Sequence, residues 1–108
     1  MRIEATSVFA KNFKRLKKKY PSLPVDLGLL TNKLKNNPIA GVDLGSGFRK
    51  IRMSVKSKGK GKSGGMRVIT FNYLINTEKG KIVFVTIYDK SEHENISEKQ
   101  IRDALNSL

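Results

Sequence analysis

The sequence predicts an α+β domain: an antiparallel sheet preceded by a helical hairpin and followed by one C-terminal helix. Three observations carry this expectation. Apolar residues recur at three- and four-residue steps over the first third of the chain and again at its end. The middle switches to period two around a glycine- and lysine-rich stretch, as paired strands do. Helix and strand patterns are also segregated along the chain rather than alternating, which favours α+β over a parallel α/β arrangement. At 108 residues the chain has the length of a single domain, 1–108, with one modest core.

Residues 2–6 read as a short strand. From Val8 onward Phe9, Phe13, Leu16 and Tyr20 form an apolar stripe at helical spacing, ended by Pro21. Lys11, Lys14, Arg15, Lys17, Lys18 and Lys19 fill the outer face of that helix. A second helix runs from about Pro24 to Asn36 on Leu27, Leu30 and Leu34; Gly28 weakens it and Asn37-Pro38 stops it. In Arg49–Lys56, Ile51, Met53 and Val55 alternate with Lys50, Arg52, Ser54 and Lys56, giving a strand with one buried and one basic face. Residues 57–65 (SKGKGKSGG) form a hairpin loop, and Arg67–Ile75 the next strand. A turn at Asn76–Lys81, around Gly80, leads into Ile82–Tyr88, which is apolar almost throughout and so reads as a central strand covered on both faces. Ser97 with Gln100 makes a capping box, and Ile101, Leu105 and Leu108 give the final amphipathic helix.

The charge narrows the partner. Lys and Arg number 22 against 9 Asp and Glu, a formal +13. Solubility of a small domain needs a net charge of only ~2–8, so solvation leaves much of this unexplained. Residues 44–77 contain no acid but eight bases: Arg49, Lys50, Arg52, Lys56, Lys58, Lys60, Lys62 and Arg67. From Asp89 onward the balance reverses, with five acids against three bases. A field this uneven favours phosphate backbones through counterion release, and points to nucleic acid or the ribosome. No apolar run approaches the ~18–20 residues of a membrane span, and MRIEATSVFAKNFK has no signal-peptide apolar region, so a cytoplasmic protein without membrane contact is expected.

Several familiar chemistries find no support. There is no cysteine, which removes disulfides, Cys-based zinc sites and thiol nucleophiles. Gly59, Gly61 and Gly64 match a dinucleotide fingerprint in spacing, but the following MRVITFNY is strand-like, where that motif needs a helix to hold the pyrophosphate. Gly61-Lys62-Ser63 lacks the earlier glycine of a Walker loop, a position held by Lys56. The acid-free centre offers no carboxylates for a two-metal nuclease, and His93 is the only histidine; it reads as an exposed residue of the acidic tail. No metal and no cofactor is expected.

What remains is basic and phenolic: Arg49, Lys50, Arg52, Lys56, Lys58, Lys60, Lys62, Arg67, Tyr88 and Lys90. Such a set can cut RNA without a metal. The 2′-OH attacks the adjacent phosphorus, so an enzyme must take one proton, neutralise the phosphate and protonate the 5′-oxygen. Arginine suits the phosphate because its fixed fork binds two oxygens and stays charged. A lysine in a dense cationic cluster gives up its proton more easily and can act as a base, and a tyrosine can be acid, base or stacking platform. Each residue also has a plainer role open to it. Arg49 and Lys50 can be edge charges that deter aggregation, the loop lysines backbone binders, and Tyr88 a core-edge aromatic. Arg67 fits the plainer role least: alternation puts it on the face of Ile69, Phe71 and Tyr73, where a charge needs a partner or a bulge.

The succession FAKNFKRLKKKYPSL, LKNNPIAGVDLGSGFRKIRMSVKSKGKGKSGGMRVI and VTIYDKSEHENIS resembles the RelE/HigB family of type II toxin–antitoxin toxins over nearly the whole chain, and most of all the HigB-like branch with a KGKGKxGG loop. The resemblance implies the small RelE-like α+β domain. It implies a metal-independent mRNA endonuclease (mRNA interferase) that acts in the ribosomal A site, inhibits translation, and is a monomeric toxin held in a complex by a cognate antitoxin. The family's phosphate and transition-state arginine falls on Arg67. Its basic strand and loop residues fall on Arg49, Lys50, Arg52, Lys58, Lys60 and Lys62, and its functional position before the last helix on Tyr88 and Lys90. The expected catalytic set is therefore Arg67, Tyr88, Lys90 and Lys62, with the other bases binding RNA. Met66 stands where many members carry an aromatic, and residues 91–97 contain no tyrosine. A gyrase inhibitor of the ParE type and a non-catalytic basic RNA- or ribosome-binding module are the other classes the sequence allows.

Overall fold

The computed structural model describes residues 2–59, 64–74, 80–93 and 95–108. Strand β1 (Arg2–Ala5) is followed by helices α1 (Ser7–Lys19) and α2 (Leu23–Asn36). Strands β2 (Val42–Gly45) and β3 (Phe48–Met53), a 3-10 turn at Lys56–Lys58, strands β4 (Met66–Leu74) and β5 (Gly80–Asp89) and helix α3 (Glu98–Leu105) complete the order. The sheet runs β1-β5-β4-β3-β2, with β1 parallel to β5 and all other pairs antiparallel. The expected α+β arrangement with an N-terminal helical pair is present.

Three differences from the sequence reading have physical reasons. Strand β2 was not expected: VDLG is exposed along its whole length, so no buried face marks it. The strand expected at Arg49–Lys56 ends at Met53, because the amides of Lys56 and Ser57 turn away from the ladder to donate to Asp26 and Ser22 on α2 and the turn before it. Gly80 and Lys81, expected in a turn, already belong to β5 and pair with Leu74 and Tyr73. The rest of that turn, and Lys60 and Lys62 in the expected hairpin loop, lie outside the described residues.

Each helix forms for local reasons and then finds a sheet face. Thr6 caps α1: its hydroxyl accepts from the Phe9 amide at 3.0 Å and donates to the Val85 carbonyl of β5 at 2.6 Å, which fixes where the helix starts on the sheet. All six bases of α1 lie on its solvent side while Phe9 and Leu16 are buried. With Leu23, Leu30 and Leu34 of α2, these cover one face of the sheet, meeting Ile51, Met53, Val68 and Phe84. The capping box of Ser97 and Gln100 is formed, and α3 covers part of the other face with Ile101 and Ala104 against Ile69, Val83 and Val85.

One irregularity sets up the site. Ile69 pairs with Thr86 but Thr70 pairs with Phe84, so Val85 is an extra residue in β5. Up to Phe84 the residues alternate regularly, with Phe84 on the α1/α2 side; past the bulge Ile87 lies on that side and Tyr88 on the α3 side. Unbroken alternation from Phe84 would have put Tyr88 on the opposite face.

Candidate active site

The register of three strands builds the site. Arg52 on β3 is opposite Arg67 on β4, and Arg67 is opposite Tyr88 on β5. Directly opposed residues point to the same face, so the three form one row across the sheet, on the side of α3. The next row holds Lys50, Ile69 and Thr86. Arg52 is exposed, whereas Arg67 and Tyr88 are 4% and 5% exposed. Arg67 also donates from its guanidinium to the Met66 carbonyl at 3.3 Å.

Burial and neighbouring charge tune both inner members. Burial, with the nearby Arg52 cation adding to it, pulls the Arg67 guanidinium below its ordinary value, while Tyr88 works the other way. An arginine stays charged through such shifts. Burial raises the Tyr88 phenol, opposed by Arg67. Tyr88 is therefore a neutral hydroxyl at physiological pH, a donor rather than a phenolate. Among the described residues that hydroxyl is buried without a hydrogen-bond partner. Two clefts, each of about 320 Å³, flank Tyr88. One runs between Phe48, Lys50, Ile69 and Ile101, the other between Asn12 and Arg15 of α1, His93, and Gln100 of α3.

A model of the RelE toxin of the RelE/RelB toxin–antitoxin system matches residues 1–107. The chain belongs to the RelE toxin family. It is accordingly the toxin of a toxin–antitoxin pair, and its family implies a cognate antitoxin as partner.

Around the row, this RelE toxin uses its expected site residues in different ways. Lys50 lines the first cleft, its ammonium 3.5 Å from the Asn95 side-chain oxygen. Arg49 sits in register with Thr70, one residue out of phase with Lys50, and its guanidinium donates to the carbonyls of Ala40 and Gly41 at 3.1 and 2.9 Å. It anchors the segment entering β2 rather than joining the row. Lys56 is exposed on the 3-10 turn and Lys90 is exposed in the turn after β5. Lys60 and Lys62 lie outside the described residues.

Lys58 departs most from its expected role as an RNA contact. Its side chain is 6% exposed and its ammonium donates to Asp89 Oδ1 at 2.5 Å. Asp89 is fully buried, although it opens what reads in sequence as an acidic tail. The Ser91 amide and hydroxyl also donate to Oδ1, at 2.9 and 2.7 Å, and the Tyr20 hydroxyl to Oδ2 at 3.0 Å. Burial by itself would raise this carboxyl, but the bonds from Lys58, Ser91 and Tyr20 outweigh it and hold the group at about 2.

His93 is exposed, as the sequence suggests, but its contact with Tyr88 was not foreseen. Its backbone N–H donates to the Asp89 carbonyl at 3.0 Å, and its ring meets the Tyr88 ring edge-on with centroids 6.5 Å apart. The signal was its distance of five residues from Tyr88 across a tight turn. Among the described residues no three His, Cys, Asp or Glu side chains stand together as a metal site, and no helix is long and apolar enough to cross a membrane.

Proposed function

We propose that this RelE toxin is an endoribonuclease that cuts mRNA in the ribosomal A site, works without a metal, and acts in the cytoplasm as a monomeric toxin until its antitoxin sequesters it. The observation that carries the reading is the cross-strand pair of Arg67 and Tyr88, a fixed cation beside a neutral hydroxyl that has no hydrogen-bond partner among the described residues. Arg67 and Arg52 neutralise the non-bridging oxygens of the scissile phosphate as charge builds there. The 2′-oxygen bonds to phosphorus, the bond from phosphorus to the 5′-oxygen breaks, and the products are a 2′,3′-cyclic phosphate and a 5′-hydroxyl. Tyr88 donates its proton to the departing 5′-oxygen and regains one from solvent. The 2′-OH proton goes to a separate acceptor, for which Lys62 and Lys90 are the lysines of the expected catalytic set. Lys50 and Lys56 meet the RNA backbone.

The test is Arg67→Ala in a reconstituted translation reaction. Loss of a preorganised transition-state donor is worth roughly 100- to 1,000-fold in rate, so cleavage falls by at least that much while the variant stays folded and still binds its antitoxin. A folded Arg67→Ala toxin that cuts at the wild-type rate overturns the assignment.

A further inference from the structure

The ladder between β4 and β5 ends at the pair Met66 and Asp89, one step past Arg67 and Tyr88. The last pair of a ladder is where strands fray, and fraying here would carry Tyr88 off Arg67. That end is instead held by donors from three places. The Asp89 carboxylate takes Tyr20 from the end of α1, Lys58 from the 3-10 turn, and both donors of Ser91 from the turn that follows. The Lys58 ammonium also lies 5.2 Å from the centroid of the Tyr20 ring. On the backbone side, the Asp89 carbonyl accepts from Glu92 and His93 at 3.0 Å each. The 3-10 turn is itself tied to α2, through Ser57 on Ser22 and Lys56 on Asp26.

A buried ion pair is a poor device for stability, because two apolar side chains of similar size commonly do as well; what it supplies is one defined geometry. We propose that Lys58 and Asp89 are a positioning pair, which locks the end of β5 so that Tyr88 faces Arg67 and the turn bearing Lys90 and His93 stays in place. The pair touches no reacting atom. This inference rests on the endonuclease reading for its kinetic form, but it also stands as a statement about the toxin's potency whatever its target.

The test is the double variant Lys58→Met with Asp89→Asn, which removes both charges together, keeps an amide oxygen for the two Ser91 donors and turns an amide N–H to the Tyr20 hydroxyl, which can accept it. It should unfold within about 5 °C of wild type, since no lone charge is left buried. Single-turnover cleavage of ribosome-bound mRNA should show a maximal rate lowered at least tenfold, with the half-saturating toxin concentration changed less than threefold. Hydrogen exchange at the amides of residues 88–93 should rise, and growth arrest on induction should weaken in parallel. A double variant that unfolds shows a merely structural pair and overturns the proposal, as does one that folds and arrests growth like wild type. If wild type cuts no mRNA yet the folded variant loses growth arrest, the endonuclease reading fails and the positioning pair stands.

Discussion

Tyr88 on β5 is the direct cross-strand partner of Arg67 on β4, and it reaches that position only because Val85 is an extra residue in its strand. The bulge has moved a phenol from the face packed by α1 and α2 to the face that carries two arginines. The hydroxyl is then buried with no bond from the described residues to offset its lost hydration. Such an arrangement costs stability and is retained where the group works on something else.

Tyr88→Phe separates these two effects. It deletes one oxygen that has no described partner, so unfolding free energy should stay the same or rise by up to about 1 kcal/mol. Loss of the proton donor should slow cleavage by about 100-fold. Urea unfolding and cleavage rates on the same preparation check it. A variant that is less stable and equally active would make Tyr88 an ordinary packing residue.

Asp89 gives a pH signature. Its folded value is about 2 against ~3.9 for an ordinary aspartate. A depressed carboxylate adds stability that is complete above the unfolded value and disappears as pH falls through the folded one. Wild type should therefore exceed Asp89→Asn by roughly 2 kcal/mol or more at pH 7, and the gap should close between about pH 4 and pH 2. Urea melts at pH 7, 4 and 2.5 measure this, and a gap independent of pH would contradict it.

The approach of β4 to β3 is set by Gly65. A Cβ there would lie 2.1 Å from the Met53 carbonyl oxygen and 3.1 Å from the Ser54 Cα, both backbone atoms. Gly65→Ala must separate the strands at the Met53–Met66 pair, next to the row that contains Arg67. Overpacking of this kind costs about 1–3 kcal/mol, so Tm should drop by roughly 5–15 °C. Differential scanning calorimetry reads this directly, and an unshifted Tm would mean that the strands part without cost.

Where sequence spoke clearly, a physical marker was present. Phe9 and Leu16 on a basic helix, and the Ser97–Gln100 capping box, carry their structure in local spacing. Arg67 was conspicuous because a charge interrupted an apolar face, and that face is where it lies. Strand β2 had no marker, being four exposed residues. Neither had the bulge: IVFVTIY is apolar on both faces, so a one-residue change of phase leaves no trace in the pattern. The Lys58–Asp89 pair is invisible for another reason. Its members are 31 residues apart, and each sits in a run of like charge that reads as solvent-facing.

The most direct test of the central claim is to map mRNA ends by primer extension in a cell-free translation reaction with the purified toxin. Wild type, Arg67→Ala and Tyr88→Phe are compared with ribosomes and on the same mRNA without them. The account predicts discrete cuts with wild type only when ribosomes are present, none with Arg67→Ala, and cuts of the same position at about one-hundredth the rate with Tyr88→Phe. Intact mRNA with wild type on translating ribosomes, or cuts undiminished in Arg67→Ala, would contradict it.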